Sequence, residues 1–182
     1  MCTHTDVETA MDLDLKQFIR DIPDFPSRGI LFRDITPLLQ SPVAMGAVID
    51  AFALHCQERD INTVVAVEAR GFLFGAPLAH RLGIPFVPVR KQGKLPFETH
   101  RVEYALEYGS DAVEIHKDGV IAGDRVMVVD DLLATGGTLA AACKLLKKTG
   151  ATVESIALVI ELSDLGGREK LPGYDILSLI RY

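Results

Sequence analysis

The stretch that decides the fold is VMVVDDLLATGGT, which occupies residues 126–138 of the 182-residue chain. It begins with four apolar residues, three of them valine, a composition typical of a buried strand. Two aspartates follow directly, and Thr-Gly-Gly-Thr then leads into a helical pattern over residues 137–148. Backbone N–H groups at the start of a helix bind phosphate, and glycines take the backbone angles that such a loop requires. The stretch therefore predicts a strand that ends at two acids and a phosphate-binding loop.

The two aspartates, Asp130 and Asp131, are suited to a different group from the phosphate. Like charges repel, so the carboxylates are acceptors for a pair of vicinal hydroxyls or ligands for a metal. A phosphate close to a diol describes a ribose 5-phosphate. Two other nucleotide sites share part of this pattern, but neither fits the rest of the chain. The only Gly-Lys pair is followed by Leu95, which excludes a Walker A loop, and no G-x-G-x-x-G lies near the start.

Outside this stretch, apolar strand-like runs alternate with helix-like segments. The predicted strands cover residues 63–67, 85–89, 125–129 and 155–162, and the predicted helices cover residues 13–22, 43–57, 71–82 and 137–148. This alternation predicts an α/β fold with a central, mostly parallel sheet flanked by helices, in which ligands bind at the carboxyl ends of the strands. Residues 90–119 are polar and weakly periodic apart from a short alternating segment at 113–115, so we expect a lid or binding loop there.

Composition limits the function classes further. The chain has 25 acidic and 19 basic residues and a net charge of −6, which argues against a nucleic-acid partner. Hydrophobic residues make up 48%, as in an ordinary globular protein, and we expect one domain over residues 1–182 with residues 1–10 disordered. The three cysteines have no spacing that suggests a zinc site or a disulfide. With no signal peptide and no apolar run of about 20 residues, we expect a cytoplasmic protein without a membrane partner.

Residues 126–138 resemble the signature of the type I phosphoribosyltransferases, which bind phosphoribosyl pyrophosphate (PRPP). This resemblance implies a type I phosphoribosyltransferase-like fold with a small hood and a flexible lid loop, the lid region being residues 90–119. It also implies that Asp130 and Asp131 hold the 2- and 3-hydroxyls of the ribose. The residues implied to cradle the 5-phosphate are Ala134, Thr135, Gly136, Gly137 and Thr138.

Two further segments resemble the parts of these enzymes that hold the pyrophosphate. Residues 68–72, Glu-Ala-Arg-Gly-Phe, match the loop that touches it, often through an unusual backbone conformation, and Arg70 would supply a forked cation. The basic run of Arg90, Lys91 and Lys94 matches a segment that reaches phosphate groups, where cations favour departure of the leaving group. The sequence does not distinguish which of these three cations reaches the substrate. The resemblance also implies a homodimer.

The base site is implied by a resemblance to the adenine-specific members of the family. The segments that carry it are residues 22–26 and 29–37. Phe32 would stack on the purine, with core packing as the alternative role of this side chain. Backbone groups near Leu31 and the side chain of Arg33 would read the edge of the base, and Leu162 would cover its other face.

A second match to the adenine-specific members lies at residues 104–109, inside the lid region. It implies that Glu107 positions adenine near N7 and assists its proton transfer, and that Tyr108 closes the lid near the reacting ribose. Together with Arg70, these are the catalytic residues that the resemblance implies. The matched region runs from about residue 13 to residue 182.

The activity implied is a purine-salvage transfer that converts adenine and PRPP to AMP and pyrophosphate by displacement at the anomeric carbon. Mg²⁺ would assist as a cofactor held mainly by PRPP, with no direct protein ligand. Two alternatives stay open. A transferase for a 6-oxopurine needs a donor rather than an acceptor at the six position, and the direction of the backbone groups in residues 29–33 is not readable from the sequence. The other is a PRPP-sensing DNA-binding regulator, although no added helix-turn-helix is visible and the net charge is −6.

Overall fold

The computed structural model describes residues 13–105 and 110–182. The chain divides into two compact units, Met1–Ala51 and Phe52–Tyr182. The single domain predicted over residues 1–182 stays a prediction, and the disorder predicted for residues 1–10 concerns residues outside the described ranges. Within those ranges, none of the helices combines the length and the apolar character needed to span a bilayer.

The first unit contains a small antiparallel sheet and the start of a longer helix. Its elements are β1 Arg20–Pro23, β2 Leu31–Asp34, α1 Thr36–Gln40 and α2 Pro42–Gln57, of which the last begins in this unit. Strands β1 and β2 pair with each other. The helix predicted over residues 43–57 is therefore confirmed, whereas β2 and α1 lie where no element was predicted.

The helix predicted over residues 13–22 is wrong. The structure has one 3₁₀ turn, Leu15–Phe18, at which the Asp14 side chain accepts a hydrogen bond from the Lys16 N–H, and then β1. Ile22 of β1 lies directly opposite Phe32 of β2. A β-branched isoleucine fits a pleated strand well, and β2 offers hydrogen-bond partners that the local periodicity does not register.

The second unit is built on a seven-stranded sheet with the order β5-β6-β4-β3-β7-β8-β9. Its elements are β3 Thr63–Val67, α3 Phe72–Leu82, β4 Phe86–Lys91, β5 Thr99–Ala105, β6 Ser110–His116, β7 Arg125–Leu133, α4 Gly137–Thr149, β8 Thr152–Glu161 and β9 Ile176–Arg181. Strands β4, β3, β7, β8 and β9 are parallel, which confirms the predicted mostly parallel α/β sheet. All four predicted strands are present, and β9 is an element that the sequence did not predict.

Helices α3 and α4 lie on opposite faces of the sheet. Val65 and Val67 of β3 belong to the apolar cluster that contains the buried side of α4. Gly75 of α3 approaches Ala66 of β3, and a Cβ atom added to Gly75 would lie 2.6 Å from the Ala66 Cβ. Neighbouring residues of a strand point to opposite faces, so α3 and α4 cover the sheet from its two sides.

The irregular backbone predicted over residues 90–119 is wrong where β4, β5 and β6 lie, whereas residues 92–98 belong to no strand or helix. Strands β5 and β6 form an antiparallel pair, and β6 continues the sheet beside β4. Along β5, Arg101 and Glu103 are exposed, whereas Val102 and Tyr104 pack against the core cluster. An edge pair with one exposed face carries charges at alternate positions, which gives it the composition of a loop. The predicted flexibility of the lid stays a prediction, and residues 106–109 lie outside the described ranges.

The carboxyl ends of β3, β4, β7 and β8 lie along one edge of the sheet, because these strands are parallel neighbours. The segments brought to that edge are residues 68–72, 90–94, 130–138 and 161–162. All five residues of β3 and the last seven of β8 are buried, so the segments that follow are attached to a rigid core.

Candidate active site

The loop between β7 and α4 has the geometry of an anion site. Gly136 is the N-cap of α4 and has a φ of 76°, and no side chain of the described residues caps the start of that helix. A cavity of about 100 Å³ lies over the loop, lined by Asp130 and residues 132–139. Because the first N–H groups of a helix have no partner within it, they are donors for a group in this cavity. The phosphate-binding loop predicted at residues 134–138 is thus placed where a phosphate can reach the helix start.

The segment after β8 holds this loop in place. A Cβ atom on Gly136 would lie 2.4 Å from the Gly167 carbonyl oxygen, and a Cβ atom on Gly167 would lie 2.2 Å from the Ala134 carbonyl oxygen. The Leu162 N–H donates to the Leu133 carbonyl at 2.9 Å. Two backbones therefore touch at a pair of glycines, a contact that the sequence pattern did not predict.

Arg168 ties the same segment to the sheet. Its guanidinium forms two parallel hydrogen bonds with the buried Glu161 carboxylate, at 2.6 and 2.7 Å. The Ser178 hydroxyl donates to the same carboxylate at 2.6 Å. The Arg168 hydrogen bonds are the main cause of the lowered pKa of Glu161. This network fixes Gly167, and through it the loop that follows β7.

We expect Arg168→Gln to lower stability by about 2 kcal/mol, because Glu161 would remain buried without its bidentate partner. This corresponds to a fall in Tm of about 4–8 °C, and the KM for PRPP should rise several-fold as the loop support loosens. The pKa of Glu161 lies below its ordinary value of 4.5. The stabilisation of the fold by the Arg168–Glu161 pair is therefore fully present above pH 4.5 and is lost as the pH falls through the lowered pKa.

A pH series of thermal unfolding checks this, with Arg181→Gln as the control. Arg181 contacts Glu161 through one longer distance, 3.4 Å, and its own side chain is exposed. The control should lose less than half as much stability. Equal losses in both variants would contradict the special role of Arg168.

The acid pair lies inside β7, which continues for two residues beyond Asp131 and does not end at the acids as the sequence predicted. Asp131 is 4% exposed and Asp130 is half-buried, and the Asp131 N–H donates to Asp130 Oδ1 at 2.9 Å. Burial raises the pKa of both carboxyls, and it raises that of Asp130 well above the ordinary value, with the Asp131 charge adding to the effect. Carboxylates that are desolvated in this way gain from any hydroxyl that donates to them.

Arg70 lies beside this pair, although it is far from it in sequence. Its Nε atom is 2.9 Å from Asp131 Oδ2, so the two side chains form an ion pair. The Asp131 Oδ2 atom is buried and accepts no hydrogen bond of normal geometry from the described residues. The close packing of Gly71 places Arg70 here, since a Cβ atom on Gly71 would lie 2.6 Å from the Val67 carbonyl oxygen. The resemblance implied an unusual backbone conformation in this loop, and the peptide bond before Ala69 is cis. The contact of Arg70 with a pyrophosphate stays a prediction.

The three cations of the basic run have different environments. Arg90 forms two hydrogen bonds with the Glu68 carboxylate, at 2.9 and 3.2 Å, and these are the main cause of the lowered pKa of Glu68. The Lys91 ammonium lies 3.3 Å from Asp111 Oδ2, and Lys94 is exposed. The sequence pattern did not predict the role of Glu68, which joins the ends of β3 and β4.

A second cavity, of about 280 Å³, lies between these strand ends and the start of α4. Its lining residues are Val67, Glu68, Val89, Arg90, Lys91, Tyr104, Asp111, Val113 and Thr138. Thr138 lines both cavities, so the phosphate loop and the basic run border neighbouring spaces. Within the described ranges, no group of three or more His, Cys, Asp or Glu side chains is arranged to hold a metal ion.

The structure describes four of the residues predicted to act on the base and leaves two outside the described ranges. In the first unit, Leu31 of β2 is exposed, the Phe32 ring lies 5.1 Å from that of Phe25 in an edge-to-face arrangement, and Arg33 forms an ion pair with Asp21. In the second unit, Leu162 directly follows β8. Their roles toward a base stay predictions. Glu107 and Tyr108 lie outside the described residues.

Comparison with known proteins shows the family. The model of the phosphoribosyl transferase domain matches residues 36–178. The adenine phosphoribosyltransferase of Thermoanaerobacter sp. (strain X514) is 57% identical over 169 residues, which are 93% of this chain and 98% of that protein. The solved adenine phosphoribosyltransferase of Thermoanaerobacter pseudethanolicus ATCC 33223 is 56% identical with a TM-score of 0.89, over 93% of this chain and 98% of that one.

A second solved structure extends the comparison to a distant organism. The adenine phosphoribosyltransferase of Saccharomyces cerevisiae, complexed with an imino-altritol bisphosphate and adenine, is 42% identical with a TM-score of 0.87. The match covers 97% of this chain and 99% of the yeast chain. The type I phosphoribosyltransferase fold expected from residues 126–138 is confirmed by these matches. The chain therefore belongs to the adenine phosphoribosyltransferases, within the phosphoribosyl transferase domain family.

Proposed function

We propose that this protein transfers the 5-phosphoribosyl group of PRPP to N9 of adenine, giving AMP and pyrophosphate. The observation that carries the proposal is the cavity at the start of α4, which is lined by Asp130 of the acid pair and by the loop that precedes the helix. Residues 130–138 thereby supply both donors for a phosphate and acceptors for a diol. The two Thermoanaerobacter relatives are named as adenine phosphoribosyltransferases, and the yeast relative was solved in a complex with adenine.

The 5-phosphate binds over residues 134–138, where backbone N–H groups and the hydroxyls of Thr135 and Thr138 donate to it. The ribose hydroxyls then donate to Asp130 and Asp131. Those hydrogen bonds offset the burial that raises the pKa of both carboxyls. PRPP is thereby held at two points, which fixes the position of its anomeric carbon.

The pyrophosphate leaves on the side of residues 68–72. Arg70 is 40% exposed, so its guanidinium can meet an anion while it stays beside Asp131. Arg90, Lys91 and Lys94 add positive charge near the same edge. Negative charge grows on the pyrophosphate as the bond to the anomeric carbon breaks, and cations placed in advance stabilise it. N9 of adenine then bonds to the opposite face of the carbon, which inverts its configuration, and the ring proton of the base is lost with the assistance of Glu107, as the resemblance implies.

Magnesium fits this site as an ion that PRPP carries. The acid pair offers two oxygen-bearing side chains rather than a full set of ligands, and Mg²⁺ is usually held by few carboxylates together with phosphates and water. When bound, Mg²⁺ supplies positive charge to the pyrophosphate and to the ribose hydroxyls. Asp130 and Asp131 would hold those hydroxyls and so orient the ion.

The proposal also covers the residues that bind the base, the oligomeric state and the cellular location. Phe32 stacks on the purine, Leu162 covers its other face, and Leu31 and Arg33 read its edge, as the resemblance implies. Glu107 and Tyr108 act at N7 and at the ribose. The protein is a homodimer, a statement that rests on the resemblance alone, and it works in the cytoplasm, as expected from the sequence before the resemblance was considered.

Purified protein with PRPP and Mg²⁺ tests the proposal directly. Adenine, hypoxanthine and guanine are offered separately, and nucleotide and pyrophosphate are measured together. We expect AMP and an equal amount of pyrophosphate from adenine alone. Product from hypoxanthine or guanine would show that the base segment is misassigned. PRPP binding without product from any base would favour the regulatory alternative, which DNA binding that responds to PRPP would then support.

Glu107→Ala should lower kcat by about tenfold to a hundredfold while changing the KM for PRPP less than threefold, because this residue acts on the base and its proton. Glu103→Ala is a matched control, since Glu103 is an exposed carboxylate on β5 whose partner is Arg101. Steady-state kinetics with each substrate varied in turn distinguish the two effects. An unchanged kcat would remove the role given to Glu107.

A further inference from the structure

A hydrogen-bonded chain of side chains connects the phosphate loop to the edge of the sheet. Thr138 Oγ donates to the Tyr104 hydroxyl at 3.4 Å, and that hydroxyl donates to Asp111 Oδ2 at 3.5 Å. The Lys91 ammonium lies 3.3 Å from the same Asp111 oxygen. All four residues line the cavity of about 280 Å³. These side-chain interactions thus connect the start of α4, after the loop that follows β7, to the end of β4.

We propose that Tyr104 is a positioning residue of the phosphate site, which orients the Thr138 hydroxyl toward the bound 5-phosphate. This inference rests on the proposed function, in which residues 134–138 hold that phosphate. Nothing in the sequence signature points to Tyr104, since the matched segment assigns its roles to Glu107 and Tyr108. The structure alone brings Tyr104 and Thr138 together.

Charge explains why the hydrogen bond between Thr138 and Tyr104 would reverse its direction when phosphate binds. The pKa of Asp111 is lowered, first by the hydrogen bond from the Ala112 N–H, so its carboxylate is charged and attracts the Tyr104 proton. A phosphate at the loop is a stronger competitor for the Thr138 proton. Once Thr138 donates to the phosphate, its oxygen is left as an acceptor for the Tyr104 hydroxyl.

Asp111 can lose the hydrogen bond from the Tyr104 hydroxyl, because two other groups still interact with its carboxylate. Lys91 remains beside its Oδ2 atom, and the Ala112 N–H donates to its Oδ1 atom at 2.8 Å. A hydroxyl that accepts one hydrogen bond donates a stronger one, so Tyr104 would strengthen the bond from Thr138 to the phosphate. The O···O distances of 3.4 and 3.5 Å are longer than the range of about 2.5–3.0 Å usual for O–H···O hydrogen bonds. Hydrogen bonds in a substrate-free site are often long and shorten when the ligand binds.

The ring of Tyr104 has a separate structural role. It is partly buried against the core cluster under β5, so removing the hydroxyl leaves the packing of the ring intact. Tyr104→Phe therefore isolates the hydrogen bond from the fold. Tyr174→Phe is the matched control, because Tyr174 also packs against that cluster but lies outside both cavities.

The test measures the affinity for ribose 5-phosphate by calorimetry, together with the KM values for PRPP and adenine. Tyr104→Phe should weaken ribose 5-phosphate binding and raise the KM for PRPP by about three- to tenfold, the factor that one neutral hydrogen bond represents. The KM for adenine should change less than twofold. The control should match the wild type in all three values.

A double-mutant cycle with Thr138→Val decides whether the two hydroxyls act together. In the Thr138→Val background, the added Tyr104→Phe substitution should cause no further loss, since its partner is already gone. An equal loss in both backgrounds, or wild-type affinity in Tyr104→Phe, would overturn the proposal. Wild-type protein that binds ribose 5-phosphate but makes no AMP would refute the proposed function, while the binding cycle would still decide the role of Tyr104.

Discussion

Replacing Gly136 with alanine is expected to lower kcat/KM for PRPP by about a hundredfold or more, because the substitution displaces the phosphate loop. Gly136 has a φ of 76°, and an added Cβ atom would lie 2.4 Å from the Gly167 carbonyl oxygen. Neither backbone can yield cheaply, since Gly167 is in turn pressed against the Ala134 carbonyl. The loop must therefore shift away from the position in which its N–H groups meet the phosphate.

Gly83→Ala is the control that separates the cost of a positive φ from the cost of the close contact at Gly136. Gly83 ends α3 with a φ of 67°, yet a Cβ atom there would have nothing within 4 Å. Both variants bear the cost of a left-handed alanine, about 1–2 kcal/mol, but only Gly136→Ala should lose PRPP affinity. Calorimetry and thermal unfolding of the two variants give this comparison. A Gly136→Ala protein with wild-type PRPP affinity would refute the assignment of residues 134–138 to the phosphate.

Asp130→Asn should lower kcat/KM for PRPP by one to two orders of magnitude, and it should also make the substrate-free protein more stable. The loss of activity follows from the hydrogen bond between a charged carboxylate and a ribose hydroxyl, worth about 1.5–3 kcal/mol. The gain in stability follows from burial, which raises the pKa of Asp130 well above its ordinary value of 3.8. At neutral pH an asparagine removes the charge that burial disfavours, so we expect a higher Tm for the substrate-free variant than for the wild type.

The sign of the pH dependence tests this explanation. The folded protein binds the Asp130 proton more tightly than the unfolded chain, so wild-type stability falls as the pH rises from about 4 through the raised pKa. The stability advantage of Asp130→Asn should therefore grow as the pH rises through the raised pKa of Asp130 and shrink as the pH falls toward about 4. Asp118→Asn, at an exposed aspartate after β6, should show neither the Tm gain nor the loss of activity. An Asp130→Asn protein no more stable than the wild type at pH 8 would contradict the burial argument.

Elements with strong local patterns were predicted well from the sequence. The β-branched run of β3 and the apolar runs of β7 and β8 are strands whose burial on both faces leaves almost no alternative. Helices α3 and α4 end at Gly83 and Gly150, which both adopt the left-handed conformation. These elements are encoded by neighbouring residues, so a local reading finds them.

Elements that depend on a distant partner were predicted poorly. Strands β5 and β6 are polar on one face and were interpreted as a loop, because only their pairing with each other and with β4 makes them strands. Strand β1 has the spacing of a helix but pairs with β2. Strand β9 ends the sheet beside β8 and was not predicted at all. In each case the hydrogen-bond partner is supplied by another part of the chain.

The sequence by itself determined the strand, the acid pair and the glycine loop of residues 126–138, because these three features follow one another without a break and depend on local backbone preferences. Only the tertiary structure decided what surrounds them. Parallel pairing places Arg70 beside Asp131, and the return of the chain after β8 presses Gly167 onto Gly136. Strand β5 sets Tyr104 beside Thr138. These contacts join residues far apart in the chain, and strand order rather than any short pattern brings them together.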